Sequence, residues 1–252
     1  MTYELETSTF PTLGKAPITE ALIDIRATLP ADTSLAALEG YTRGIEDVYP
    51  KADKRYSLEA RFEFDSPQPR VTMPPSTPDG FLFRARDESS VVQARMDGFT
   101  FSKLKPYEDW KTFSGAAKEL WARYVGVVSP IRATRVAVRY LNRIELPVGV
   151  NIGDYLKTVP QIASGIPQDL GSFLMRLVIP DAASGCVAIL TETTVPDQSS
   201  TVYPVILDID VFREIKLDPS DPQLWTILEQ LRNFKNTIFF RTLTELALES
   251  YK

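Results

Sequence analysis

Residues 131–146, IRATRVAVRYLNRIEL, form the longest unbroken alternation in the chain, and the two halves of that alternation differ in kind. Successive side chains of a strand point to opposite faces. Val136, Val138, Tyr140, Ile144 and Leu146 therefore share one face, interrupted only by Asn142. Arg135, Arg139 and Arg143 share the other, with Ala137 and Leu141 between them. Charges at every fourth residue of a strand stand about 13 Å apart. A face with three guanidinium groups cannot be dry core unless carboxylates lie opposite, because an unpaired buried charge costs several kcal/mol or more. The stretch therefore predicts a sheet strand with one apolar and one charged face.

Two other segments carry the acids that such a face needs. In VILDIDVF, Asp208 and Asp210 share a face with Ile206, while Leu207, Ile209 and Val211 lie opposite. In residues 18–28, Thr19, Ala21, Ile23, Ile25 and Ala27 form one face and Glu20, Leu22, Asp24 and Arg26 the other. One reading is a cross-strand ladder in which these acids pair with Arg135, Arg139 and Arg143. The other uses the spacing of Asp208 and Asp210, about 6–7 Å along a strand, to hold a divalent cation with help from Glu20 or Asp24, as a hydrolase or nuclease would. Either way, the charged faces around Glu20, Asp24, Arg139 and Asp208 are expected to converge on one polar surface or cleft.

The order of elements repeats. Residues 18–125 read as a strand, a helix over Leu35 to Tyr49 stopped by Pro50, several strands, and a second helix. The strands include Tyr56 to Phe64, a hairpin of Phe81–Arg86 with Ser90–Asp97, and Phe99–Ser102 after an Asp97-Gly98 turn. The second helix opens at Pro106, carries Tyr107, Trp110, Phe113, Ala117, Trp121 and Tyr124 on one side, and stops at Gly126. After the arginine strand come a short helix near Ile152–Thr158, a hairpin of Phe173–Ile179 with Gly185–Thr194, and the strand Val202–Arg213. Helices at about 222–235 and 237–249 close the chain. The pattern predicts an α+β fold: two similar strand-helix-strands-helix units forming antiparallel sheet, with helices packed on one face. Residues 1–17 read as an extended lead-in, 18–130 as the first unit and 131–252 as the second unit with a C-terminal helix. All belong to one compact domain, because no Gly/Ser linker divides them.

Composition closes off several chemistries. The chain has no histidine, which excludes a histidine-containing triad, an imidazole base and histidine-ligated metal. One cysteine, Cys186, forms no internal disulfide and no thiolate cluster, and suits a cytoplasmic protein. The net charge of −5 does not favour nucleic acid. No apolar run spans a bilayer, and no phosphate-cradling loop or dinucleotide fingerprint occurs. No catalytic residue, metal or cofactor is assigned.

The segments APITEALIDIR, FSKLKPYEDWKTF, RVAVRYLNRIELP and LDIDVF resemble an uncharacterised, sporadically distributed family of bacterial and archaeal proteins of unknown function. The resemblance covers about residues 17–212. It implies no activity, and a distribution like that of mobile defence or toxin–antitoxin genes. The sequence thus points to a non-catalytic cytosolic interaction protein that binds another protein or itself. The alternative is a module that binds a small anionic ligand between two α+β units, using Arg135, Arg139 and Arg143 with Tyr107 and Trp110 as lining; the metal-dependent hydrolase is a second alternative.

Overall fold

The computed structural model describes residues 10–56, 61–63, 70–72, 77–168, 170–195 and 202–252. Eleven strands are β1 (Ile18–Thr28), β2 (Lys51–Tyr56), β3 (Arg61–Glu63), β4 (Arg70–Thr72), β5 (Pro78–Arg84), β6 (Ser90–Arg95), β7 (Gly98–Leu104), β8 (Arg132–Pro147), β9 (Leu174–Asp181), β10 (Cys186–Thr194) and β11 (Val202–Leu217). The helices are α1 (Leu35–Glu39), α2 (Trp110–Val128), α3 (Gln223–Thr242) and α4 (Glu245–Glu249). Among the described residues, nine strands join one antiparallel sheet in the order β2-β5-β6-β7-β1-β8-β11-β10-β9, and β3 pairs only with β4. The fold is α+β, dominated by its sheet.

Two strands distant in sequence, β1 and β8, pair at the middle of this sheet, with Ile23 opposite Val138 and Ile25 opposite Val136. From that seam the order runs outward on each side through the last, middle and first strands of a three-strand run. These are β7, β6, β5 on one side and β11, β10, β9 on the other.

Register sorts the side chains into two faces. The apolar face continues across seven strands, from Phe83 through Val92, Phe101, Ile23, Val138 and Val211 to Ala188, all at most 3% exposed. Helix α2 lays Phe113, Ala117, Trp121 and Tyr124 on this face. The Trp121 ring meets Phe99 edge-on, and its Nε1–H donates to the Pro219 carbonyl at 2.8 Å. Helix α3 covers β8 and β11 with Leu224, Leu228 and Leu231. The Tyr41 ring stacks on Phe83 while its hydroxyl donates to the Leu120 carbonyl, so the short helical turn beside α1 seals the β5 end.

Several expected boundaries are corrected. The helix expected from Leu35 to Tyr49 is α1 followed by one 3-10 turn, Gly40–Thr42. Gly44 then takes φ +86°, a left-handed conformation that ends helical winding. Helix α2 starts at Trp110, where the Asp109 carboxylate accepts from the Thr112 N–H, and passes through Gly126 to end at Ser129 in the left-handed conformation. The helix expected near Ile152–Thr158 is a 3-10 turn, Ile152–Asp154, so the second run of elements lacks the helix of the first. The two closing helices are divided elsewhere: α3 runs on to Thr242, because the Thr237 hydroxyl donates back to the Asn233 carbonyl and does not cap a new start. The break comes at Leu243, which is extended and bridged to Leu156. Of the strand expected from Tyr56 to Phe64, residues 57–60 and 64 lie outside the described residues.

Gly98 follows Asp97 with φ +145°, and a Cβ there would stand 2.2 Å from the Ile25 carbonyl oxygen. Gly98→Ala is therefore expected to destabilise the fold by about 2 kcal/mol, read as a lower urea midpoint.

Candidate functional site

The opposite face of the sheet carries none of α1, α2 or α3, and it gathers the charges. Thr100 stands opposite Asp24, Asp24 opposite Ala137, Arg26 opposite Arg135 and Arg139 opposite Asp210, so residues from β7, β1, β8 and β11 form adjoining rows. Asp24 lies at the centre. Its carboxylate accepts from Arg95 at 2.9 Å, the Thr100 hydroxyl at 2.8 Å, Arg135 at 3.2 Å and Arg26 at 3.3 Å. Arg95 also donates to Asp97 at 2.8 Å and to the Thr100 hydroxyl. Asp24 is 8% exposed and Arg95 3%, so this part of the network is largely withdrawn from water.

The second part is more open. Arg139 grips Asp208 with two parallel hydrogen bonds, Nε to Oδ1 at 2.8 Å and Nη2 to Oδ2 at 2.5 Å, a bidentate pairing specific to guanidinium. Its directly opposite residue is Asp210, so it reaches along a diagonal. Arg135 likewise leaves its opposite residue, Glu214, to lie 3.8 Å from Asp210, with its guanidinium 4.2 Å above the Phe212 ring. Arg143 bonds Glu145 at 3.2 Å, farther along the same row.

Burial and charge act in opposite directions on these acids. Burial alone would raise the Asp24 carboxyl, but Arg95, the Thr100 hydroxyl and Arg26 together hold it below the ordinary carboxylate range. At Asp210 burial prevails over the attraction of Arg135 and Arg139, and the carboxyl is raised. The hydrogen bonds to Asp208 outweigh burial at Arg139 and raise its guanidinium, with Asp210 and Glu20 adding to the attraction.

A polar cleft of about 540 Å³ opens here, lined among others by Asp24, Arg26, Arg95, Arg135, Arg139 and Asp210. Four arginines and three acids line it, and each of Arg95, Arg135 and Arg139 already holds a carboxylate. The cleft is therefore a charge mosaic and not a concentrated positive trap. Asp208 is likewise spent on Arg139. Among the described residues, no group of three or more Asp, Glu, His or Cys side chains is placed to hold a metal ion.

The structure brings Glu20, Asp24, Arg135, Arg139, Asp208 and Asp210 to one face. It sends Tyr107 and Trp110 to the other, so they do not line the arginine cleft. The Tyr107 hydroxyl is 3.1 Å from that of Tyr140 on the apolar face, and the Trp110 indole donates to Glu229. Sequence reasoning missed Arg95, Gln93 and Thr100. The alternation of Val92 and Ala94 with Gln93 and Arg95 carries that information, because it assigns the latter two to the polar side. It also missed two charged residues on the apolar side. Glu192 is fully buried beside Leu207, and Lys235 sits with its ammonium 3.8 Å above the Tyr140 ring.

Among the described residues, no helix is long and apolar enough to cross a membrane. No family model matches the chain, and no curated protein sequence matches it either.

Proposed function

We propose that this is a non-catalytic binding protein whose working surface is the charged sheet face, and that its partner is another protein. The observation that carries the reading is the paired network itself: Arg135, Arg139, Asp208 and Asp210 are fixed in place by one another near the centre of a nine-stranded sheet, on the face opposite α1, α2 and α3. Fixed charges of alternating sign select a complementary surface and set its register more than they add raw affinity. The resemblance to a family distributed like mobile defence genes supports a partner encoded nearby. The mirrored strand order about β1 and β8 supports reading the two halves as duplicated units, with the helix after β8 reduced to one turn.

The size of the cleft favours a second reading, a small anionic ligand held by Arg135 and Arg139, since ligand sites commonly span about 300–1,000 Å³. Its mostly polar walls and already engaged arginines place this reading second.

Native mass spectrometry on protein purified gently from its own host cells separates them. The expected result is a second polypeptide at fixed stoichiometry that is lost in Arg139→Ala. That variant should keep its fold, because a half-exposed ion pair contributes about 1 kcal/mol or less. A small-molecule mass lost in the same variant would favour the ligand reading. A second copy of this chain bears on neither reading; any other bound mass unaffected by Arg139→Ala, or none at all, would overturn both.

A further inference from the structure

Among the described residues, the two edges of the sheet are finished differently. Strand β2 carries Lys51, Asp53, Lys54 and Arg55, charges of the kind that keep edges from pairing with other chains. Strand β9 ends the other side with Leu174, Leu177, Val178 and Ile179 exposed, at 74, 36, 55 and 36%. Leu177 and Ile179 lie opposite Leu190 and Ala188 of β10, so they extend the apolar face past the reach of the helices.

Hydrogen bonding tells which residues of β9 face outward. The Phe173 carbonyl accepts from the Thr194 N–H and the Asp181 carbonyl from the Gly185 N–H. Odd-numbered residues thus bond inward, and in an antiparallel ladder the alternate ones, Leu174, Arg176, Val178 and Pro180, turn their backbone groups outward. Pro180 lacks an N–H on that side, which an edge strand tolerates.

We propose that β9 pairs with β9 of a second copy of this chain, antiparallel about a two-fold axis at Leu177, making one continuous sheet from the two nine-stranded sheets. The sequence is self-complementary in this register. Arg176 faces Val178 of the second copy and Leu174 faces Pro180, so every outward N–H finds a carbonyl and the missing donor of Pro180 falls at the end of the ladder. On the apolar face Leu177 meets its own copy and Met175 meets Ile179. A register centred on Arg176 would set two arginines against each other, which is unfavourable; one centred on Val178 would send the Leu174 N–H beyond the end of the strand. The Leu177 register uses the strand best.

Sedimentation of the full chain over a concentration series tests this, with two substitutions at the exposed position 178. Wild type is expected to dimerise. Val178→Lys opposes Arg176 of the second copy twice per dimer and should weaken the dimer by about tenfold or more, whereas Val178→Glu gains that arginine as a partner and should bind at least as tightly as wild type. Leu177→Cys should form a disulfide across the axis on mild oxidation, since facing residues of a non-hydrogen-bonded pair stand about 4.5 Å apart, and Val178→Cys should not; the native Cys186 is buried. A wild type that stays monomeric at every concentration would overturn the proposal and leave the edge to a strand of some other protein. Equal weakening by Lys and Glu, a dimer indifferent to both, or faster cross-linking at 178 than at 177 would overturn it as well.

Discussion

Asp24→Asn is expected to lower the stability of the fold by about 3 kcal/mol at neutral pH, measured by urea unfolding. Removing one partner of a buried ion pair typically costs about 3–5 kcal/mol, because the other charge is left without compensation. The low end applies here, since Arg95, 3% exposed, keeps Asp97 when Asp24 is neutralised. The effect should fade in acid. The native Asp24 carboxyl lies below its ordinary value, so its contribution is complete above the unfolded value near 3.8 and is lost as pH falls through the depressed native one. Wild type and variant should therefore converge at low pH. Arg139→Ala, in the more open half of the same network, serves as the contrast, with about 1 kcal/mol or less expected. If the two variants cost the same, the division into a structural and an available half of the network is wrong.

Glu192→Gln should do the reverse and stabilise the protein, by about 3 kcal/mol above neutral pH. Neither carboxylate oxygen of Glu192 has a hydrogen-bond partner among the described residues, and burial raises its carboxyl from 4.5 to about 7. Between those values the folded chain holds a proton that the unfolded chain has released, so wild-type stability falls as pH rises from about 4.5 to 7 and stays reduced beyond. Glutamine has no proton to lose and stays uncharged throughout. The two proteins should be alike near pH 4 and diverge across this window. Lys235, pushed down to about 7 by burial, acts in another range, its cost present below pH 7 and relieved toward 10.5. The wild-type-minus-variant difference isolates Glu192. Equal stabilities at pH 8.5 would mean that the carboxylate has water or a partner.

The strand faces were legible because period two is unambiguous when one parity is charged. Arg135, Arg139 and Arg143 demanded acids, and Asp24, Asp208 and Asp210 sat on the matching parity of two other segments. Which arginine takes which acid was not legible, because the side chains reach diagonally across the twisted sheet and Arg139 passes over Asp210 to Asp208. Helix ends failed where backbone conformation decided them, at Gly44, Ser129 and Leu243. Glu192 and Lys235 escaped notice for the opposite reason. Each continues an apolar series, Ala188-Leu190-Glu192 or Leu228-Leu231-Lys235, and a pattern reader discounts one polar residue in a hydrophobic stripe. Tyr107 and Trp110 pack against the core, as aromatics at helical spacing usually do. Only their alternative use as lining of the arginine cleft fails, because helical spacing shows that aromatics share a side without showing which face of the sheet that side meets.

The seam between β1 and β8 also bears on how the chain is made. Strand β1 is synthesised before the other strands of its sheet, yet one of its two neighbours, β8, begins more than a hundred residues later, at Arg132. Until β8 emerges from the ribosome, β1 has β7 on one side and nothing on the other, and what becomes the middle of the sheet is for that interval an open edge ending in Ala21, Ile23 and Ile25. Pairings this distant in sequence form slowly, and chains waiting for them are exposed to aggregation. The first half is therefore a nascent chain that depends on its second half for closure, and a translational pause before β8 is complete would prolong its most vulnerable state.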